Sequence, residues 1–467
     1  MKTGCGYNLT FEGGTLSLIG PEKTTPPMLG SGIPWKWDNR SFTWRCDALY
    51  YSKIREYAAV FRLGINDQAN RFSSVRWGKI TLPPLWNSQK EAVAAWMKNG
   101  AGLVVMPTGA GKTEVALSIM RRTAISTLIV APVRDLMYQW HQRILRGLNY
   151  DAGVIGDNIY NLRPVSVTTY DSAYIHMDKL GDYFGVIVFD ECHHLPGRIR
   201  REAALMCAAP FRLGLTATVE RADGRHADLD RLIGPKVYEM PLAKAKGKTL
   251  AEYDVVRIPV HLAGEERARY DALSRTVRSF MYQRRKKDKK YSWEDLCADA
   301  GQDPEARKAQ KAYFAKNAIE DRAKEKLRVL EDLFRLHQGA RIIVFTGSNA
   351  MARDVSIRFL IPCLLNHSKK NERRDILEGF AKGDYPAIVA NQVLDEGVDV
   401  PKAKVAVVLG GKSSKRQAVQ RLGRVLRRHG NEKAVLYEIV CEETKEEIRS
   451  RKRRRNDAYR GAKHRRI

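Results

Sequence analysis

Short apolar runs separated by polar turns recur along this chain in two series. The first comprises Leu103-Val104-Val105, Thr127 to Ala131, Val165 to Thr168, Val186 to Phe189 and Arg212 to Thr216, with helical or loop segments between them. The second comprises Val255 to Val260, Arg341 to Phe345, Ala387 to Ala390, Val405 to Leu409 and Ala434 to Val440. Strands at this spacing predict two tandem α/β domains, each a doubly wound parallel sheet whose functional loops gather at the strands' carboxyl ends. Between the series, Lys244-Ala245-Lys246-Gly247-Lys248 reads as a hinge.

Residues 1–80 are rich in glycine, proline and tryptophan, and carry short alternating stretches, Leu16-Ser17-Leu18-Ile19 and Ser41-Phe42-Thr43-Trp44. They predict a small N-terminal α+β module, with a helix started by Asp47 that carries Tyr50, Ile54, Tyr57 and Phe61. Trp35-Lys36-Trp37 with Arg40 and Trp44 fits either a nucleic-acid platform or buried core aromatics. Leu82-Pro83-Pro84 marks a boundary, after which Gln89, Ala92, Val93, Trp96 and Met97 are expected on one side of a helix. In the second series a charged insertion, residues 264–338, keeps Ile319, Ala323, Leu327, Leu330 and Phe334 at helical spacing and reads as a protruding helical element. The expected organisation is 1–80, then 81–243, then 244–467 with the insertion and a basic tail at 446–467.

Charge changes the picture. A net charge of +28 over 467 residues predicts nucleic acid as the first partner. The densest clusters are Arg284-Arg285-Lys286-Lys287-Asp288-Lys289-Lys290 and Arg451-Lys452-Arg453-Arg454-Arg455, either of which would also suit a solvated face. No apolar run is long enough to span a bilayer, and the first residues lack the apolar core of a signal peptide. A cytoplasmic protein of prokaryotic or viral origin, with no membrane partner, is the expectation. Seven scattered cysteines without a C-x-x-C pair argue against a disulfide framework or a zinc or iron–sulfur site.

The candidate chemistry begins at Met106-Pro107-Thr108-Gly109-Ala110-Gly111-Lys112-Thr113, a glycine-rich turn between a strand and a helix. Glycines at such a turn let successive backbone N–H groups and the helix start face an anion, Lys112 adds a point charge, and the Thr113 hydroxyl can hold Mg²⁺. Gln89, just ahead, offers an amide that can read an adenine edge. Asp190-Glu191 closes a strand and supplies the second half of such a site, Asp190 for Mg²⁺ and Glu191 to polarise the attacking water. His193 and His194 lack a third ligand and read better as polar coupling to the neighbouring domain, and the hydroxyls of Thr216 and Thr218 can bridge the acid cluster to a domain interface. In the second half, Gly397 and Asp399 lie in a polar loop after a strand, while after Gln420 the residues Arg421, Arg424 and Arg427, three apart, stack along one helix face. That arginine row could contact backbone phosphates. Arg424 and Arg427 are better explained as fingers that reach a γ-phosphate from the opposite domain to Lys112.

Taken in order, Gln89, Pro107 to Thr113, Ala131-Pro132 with Leu136 and Gln139, Thr168-Thr169-Tyr170, Asp190 to His193, Thr216-Ala217-Thr218, Val344-Phe345-Thr346, Asp395 to Pro401 and Gln420 to Arg427 resemble the successive motifs of superfamily 2 helicases. Asp190 to Pro196, Leu232 to Tyr238 and Val393 to Pro401 resemble most the XPB-type DNA repair helicases of archaea and bacteria. The resemblance implies two RecA-like domains, a DNA-sensing N-terminal domain, a thumb-like insertion, ATP with Mg²⁺ as cofactors, and a 3′ to 5′ DNA helicase or duplex translocase acting at single-stranded/duplex junctions. It also implies a partner nuclease and a monomer on DNA. Expected ATP contacts are Gln89, Thr108, Gly109, Ala110, Gly111, Lys112, Thr113, Gly397 and Asp399, with Gln420 joining the catalytic set. Expected DNA contacts are Pro132, Arg134, Thr169, Arg221, Asp223, Thr346 and the run Arg284, Arg285, Lys286 and Lys287. Where the family commonly has Arg-Glu-Asp, this chain reads Arg221-Ala222-Asp223. The missing carboxylate permits, as the alternative to a helicase, a translocase that moves along duplex without strong unwinding, and a non-catalytic nucleic-acid scaffold is the alternative of a different class.

Overall fold

Strand after strand in this protein is buried at every position because both faces of its sheets are covered. The computed structural model describes residues 7–20, 32–107, 109–219, 224–240, 253–365, 368–391, 403–410, 434–454 and 464–466. The chain divides into two compact units, residues 1–242 and 243–467. The first opens with strands β1 (Tyr7–Glu12), β2 (Thr15–Ile19), β3 (Lys36–Asp38) and β4 (Thr43–Asp47), helix α1 (Tyr51–Val60) and β5 (Ile65–Asp67). Their sheet runs β3-β4-β2-β1-β5 over a core of Leu9, Leu16, Leu18, Cys46 and Ile54. Phe42 stands in a left-handed turn, φ 52°, and is exposed, so the second alternating stretch becomes a strand only from Thr43. Asp47 makes no side-chain cap; a short 3₁₀ turn precedes α1. Trp37 and Trp44 meet edge to face at 5.2 Å, and Trp35 and Trp44 pack against this core.

The remainder of the first unit follows as α2 (Asn87–Asn99), β6 (Ala101–Val105), α3 (Lys112–Thr123), β7 (Thr127–Ala131), α4 (Arg134–Leu148), β8 (Gly153–Gly156), β9 (Ile159–Tyr160), β10 (Val165–Thr169), α5 (Tyr170–Leu180), β11 (Val186–Asp190), α6 (Glu202–Leu205), β12 (Phe211–Thr216), α7 (Asp228–Leu232) and β13 (Lys236–Glu239). They form an eight-stranded sheet in the order β13-β6-β12-β11-β7-β10-β8-β9, parallel except for the β8–β9 pair. Every residue of β7, β10 and β11 is buried. Strands β8, β9 and β13 are additions to the expected set; β9 is exposed and β8 contains two glycines, so neither carries an apolar run. On α2 the buried face is Gln89, Ala92, Val93 and Trp96, whereas Met97 turns outward, 39% exposed, because it lies one position past that stripe. The N-terminal module is fastened to this sheet by Arg71, whose guanidinium grips Asp182 and the Lys179 carbonyl.

The second unit contains β14 (Tyr253–Val260), α8 (Gly264–Lys287), α9 (Trp293–Asp299), α10 (Pro304–Asp321), α11 (Lys324–Leu336), β15 (Ile342–Thr346), α12 (Asn349–Phe359), β16 (Cys363–Leu364), α13 (Lys370–Lys382), β17 (Ala387–Asn391), β18 (Val405–Val408), β19 (Ala434–Cys441), α14 (Lys445–Arg454) and β20 (His464–Arg466). Its seven-stranded sheet, β16-β17-β15-β18-β19-β14-β20, is parallel throughout. The helical spacing read from Ile319 to Phe334 spans two helices, with the break between Asp321 and Lys324. Leu330 and Leu333 of α11 pack into the sheet's own core beside Val344 and Ile439. The basic tail is not simply a tail: Glu446 and Ser450 of α14 are buried, and β20 pairs with β14. Among the described residues, no helix is long and apolar enough to cross a membrane.

Candidate nucleotide-binding site

Three neighbouring strands, β6, β12 and β11, end side by side, and each delivers one part of a polar cluster. The turn after β6 uses left-handed backbone at Gly109, φ 84°, and Gly111, φ 77°, which a side chain would strain. At Gly111 an added Cβ would also lie 2.2 Å from Gln89 Nε2. Helix α3 then starts at Lys112. Its ammonium lies 3.6 Å from Glu191 Oε1 and 3.3 Å from the Met106 carbonyl. Thr113 is half-buried in the same first turn.

After β11, Glu191 takes a left-handed conformation, φ 46°, costly for a residue with a Cβ and typical of positions held for function. Its Oε2 is buried without a hydrogen bond among the described residues, 3.4 Å from His193 Nδ1. Asp190 is held on both oxygens: Trp140 Nε1 donates to Oδ2 at 2.8 Å and the Glu191 N–H donates to Oδ1 at 3.0 Å. The Tyr170 hydroxyl donates to the Asp190 carbonyl at 2.9 Å. Burial, then the Glu191 charge, pushes the Asp190 carboxyl up to about 6, against the pull of Trp140 and Lys112. From the end of β12, Thr216 Oγ1 sits 3.1 Å from His193 Nδ1 and donates to the Thr218 carbonyl at 2.7 Å. Within the first unit these groups form a chain, Glu191–His193–Thr216–Thr218. A cationic cradle beside a buried carboxylate oxygen that lacks a donor suits a Mg²⁺-nucleotide.

Gln89 departs from the expected adenine reader in what its amide does here. It is 3% exposed, donating to the Ala110 carbonyl at 3.0 Å and accepting from Trp86 N–H at 2.9 Å, so it braces the phosphate turn from below. Pro132 is buried. Arg134 is exposed and paired at 2.5 Å with Asp157, which Tyr138 also holds. Thr169 Oγ1 caps α5 by accepting the Ser172 N–H, and Thr346 is fully buried with its hydroxyl on the Ser348 carbonyl. Both hydroxyls are therefore spent on the fold. Arg284, Arg285, Lys286 and Lys287 form the last turn of α8. Arg284 pairs with Asp303 over the Phe280 ring, while Lys286 and Lys287 line a groove of about 840 Å³ with Lys308. Thr108, Arg221, Ala222, Asp223, Gly397, Asp399, Gln420, Arg424 and Arg427 lie outside the described residues.

Trp140 is the site residue that sequence reasoning missed. Its helical burial stripe, Met137, Trp140, Ile144 and Leu148, marks it as core, and nothing local announces a partner fifty positions away.

Residues 83–221 match the family described as Type III restriction enzyme, res subunit, and residues 325–429 match the Helicase conserved C-terminal domain. The chain is 40% identical over 421 residues to a protein of Sulfurisphaera tokodaii named DNA 3′-5′ translocase XPB2, covering 90% of this chain and 95% of that one. It is 30% identical to the DNA 3′-5′ helicase XPB of Kineococcus radiotolerans, covering 80% of this chain and 62% of that one. A solved structure of Saccharomyces cerevisiae Dbp5 bound to RNA and ADP BeF3 superposes with a TM-score of 0.55 at 14% identity, covering 82% of this chain and 89% of that one. With the two family matches, that likeness identifies the two parallel sheets as tandem RecA-like domains.

Proposed function

The chain belongs to the XPB family of superfamily 2 helicases, and on that premise we propose that it is an ATP-driven DNA motor running 3′ to 5′, acting in DNA repair. The observation that carries this reading is the meeting of Lys112 and Glu191, 3.6 Å apart, beyond the ends of β6 and β11 on either side of β12, with one Glu191 oxygen left without a hydrogen bond among the described residues. Lys112 and the backbone of Gly109, Ala110 and Gly111 bind the phosphates, joined by Thr108. Thr113 and Asp190 hold magnesium, which when bound neutralises charge on the transferred phosphoryl group. Glu191 orients and deprotonates water, and His193 keeps its carboxylate in place. Gln420, Arg424 and Arg427, with Gly397 and Asp399, are assigned to the nucleotide on the motif resemblance alone. DNA runs past Pro132, Arg134, Thr169, Arg221, Asp223 and Thr346 and along the cationic end of α8, attracted by the chain's net charge. The domain limits 1–80, 81–243 and 244–467, a partner nuclease and a monomer on DNA belong to the same proposal.

ATP turnover titrated with single-stranded DNA, duplex DNA and RNA at two salt concentrations tests it. Stimulation by DNA that weakens as salt rises is expected, and Lys112→Ala is expected to abolish turnover. Parental turnover in Lys112→Ala, or no response to any nucleic acid, sinks the motor.

A second reading, translocation along duplex without strong unwinding, is favoured by Ala222 in place of the acidic residue and by the translocase name of the Sulfurisphaera tokodaii relative. Triplex displacement without opening of a forked duplex selects it; efficient fork opening rejects it.

A further inference from the structure

Asp190, assigned above to magnesium, is gripped by two aromatic side chains from different helices. Trp140, 3% exposed on α4, donates its indole N–H to Oδ2 at 2.8 Å. Tyr170, fully buried as the first residue of α5, donates its hydroxyl to the Asp190 carbonyl at 2.9 Å. With the Glu191 N–H on Oδ1, these bonds set the plane of the carboxylate and the height of the strand end that carries it. Each oxygen retains one lone pair for a metal-bound water.

The helices that supply the two aromatics begin at two turns assigned above to DNA. Helix α4 starts at Arg134, two positions after Pro132, and α5 starts at Tyr170, directly after Thr169. Helix α4 also reaches the phosphate turn by a second route, since Arg143 pairs with Glu114 in the first turn of α3. A helix is stiff along its axis, so a small shift of its first turn is carried to Trp140, less than two turns away.

We propose that Trp140 and Tyr170 are positioning residues for Asp190, and that they carry the effect of DNA bound at the starts of α4 and α5 to the magnesium site. The inference rests on the motor reading. Partners that orient a metal ligand typically contribute about ten- to a hundredfold to metal affinity.

The full-length protein, its Tyr170→Phe variant, which deletes only the donor, and its Trp140→Phe variant, which deletes the indole N–H together with part of the buried ring, are titrated with a fluorescent ADP with and without Mg²⁺. In Trp140→Phe, metal-free ADP affinity is expected within about twofold of the parent, while the gain brought by Mg²⁺ shrinks about tenfold. Tyr170→Phe is expected to lose less, because it acts on the strand rather than on the carboxylate. The ratio of DNA-stimulated to basal ATP turnover is expected to fall in both. A Trp140→Phe protein that keeps the parental Mg²⁺ gain and the parental stimulation ratio overturns the proposal. If that variant loses metal-free ADP binding through misfolding, the same two readouts on Tyr170→Phe decide the matter. A parent that binds no ADP in either condition overturns the motor reading itself, a result distinct from either outcome in the variants.

Discussion

Each unit of this protein contains a lysine–glutamate pair, and the two pairs have opposite characters. In the second unit, Lys326 and Glu446 are 0% and 1% exposed and meet at 2.8 Å. Lys326 also donates to the Leu409 carbonyl at 3.1 Å, and Glu446 accepts the Cys441 N–H at 3.0 Å. Burial alone would lower the Lys326 ammonium, yet Glu446 holds it above its ordinary value. In the first unit, Lys112 and Glu191 stand 3.6 Å apart with side chains 10% and 14% exposed, and among the described residues Glu191 Oε2 accepts no hydrogen bond. A closed pair has every bond made and fixes structure. An open pair keeps charge and lone pairs in reserve for something that arrives.

The largest effect expected from this difference is on the closed pair. Lys326→Met leaves Glu446 buried and unpaired and should destabilise the second unit by about 3–5 kcal/mol, read by denaturant unfolding. The double variant Lys326→Met/Glu446→Leu should recover most of that loss; equal damage in both would mean that the pair's hydrogen bonds to the backbone, rather than its charge balance, hold α11 to α14.

The next effect falls on the open pair. Glu191→Gln removes the base while keeping the shape, and should cut ATP turnover by about a hundredfold or more with the unfolding midpoint scarcely moved. A large loss of stability instead would place Glu191 with Glu446 as a structural anchor.

The smallest concerns a third lysine, intermediate between the two. Lys316 is 1% exposed, its Nζ has no hydrogen bond among the described residues, and it lies 5.4 Å from the Tyr270 and Tyr313 ring centres. Burial, then the neighbouring Lys445, lowers it from 10.5 to about 8, with Glu320 opposing and Arg449 and Arg278 adding to the fall. Because the charged form is the disfavoured one in the fold, the penalty is fully present below about pH 8 and fades as pH rises towards 10.5. Lys316→Met should therefore stabilise by about 1 kcal/mol at pH 7, with the gain shrinking across that window. Unfolding curves at pH 7 and pH 10 check the sign, and equal gains at both would remove the charge from the explanation.

The phosphate turn, the acid pair and most of the strands around them were legible in the chain, because glycine placement and unbroken apolar runs are local signals. Gln89 was legible as a site residue but not in its manner of acting, since the Ala110 carbonyl that it holds is a backbone group brought in by folding. Trp140 and Tyr170 were unreadable as partners of Asp190 for the same reason. Strands β9 and β20 were missed because edge strands need no apolar pattern.

The sequence by itself determined that two parallel sheets form, where each is punctuated, and that an anion-binding turn and an acid pair follow two of the strands of the first. Tertiary structure alone decided that β12 lies between those strands, bringing Lys112 to Glu191, and that one lysine–glutamate pair closes while the other stays open. Periodicity and propensity act over a few residues, whereas strand order and the satisfaction of buried charge depend on contacts between segments as distant as Lys326 and Glu446.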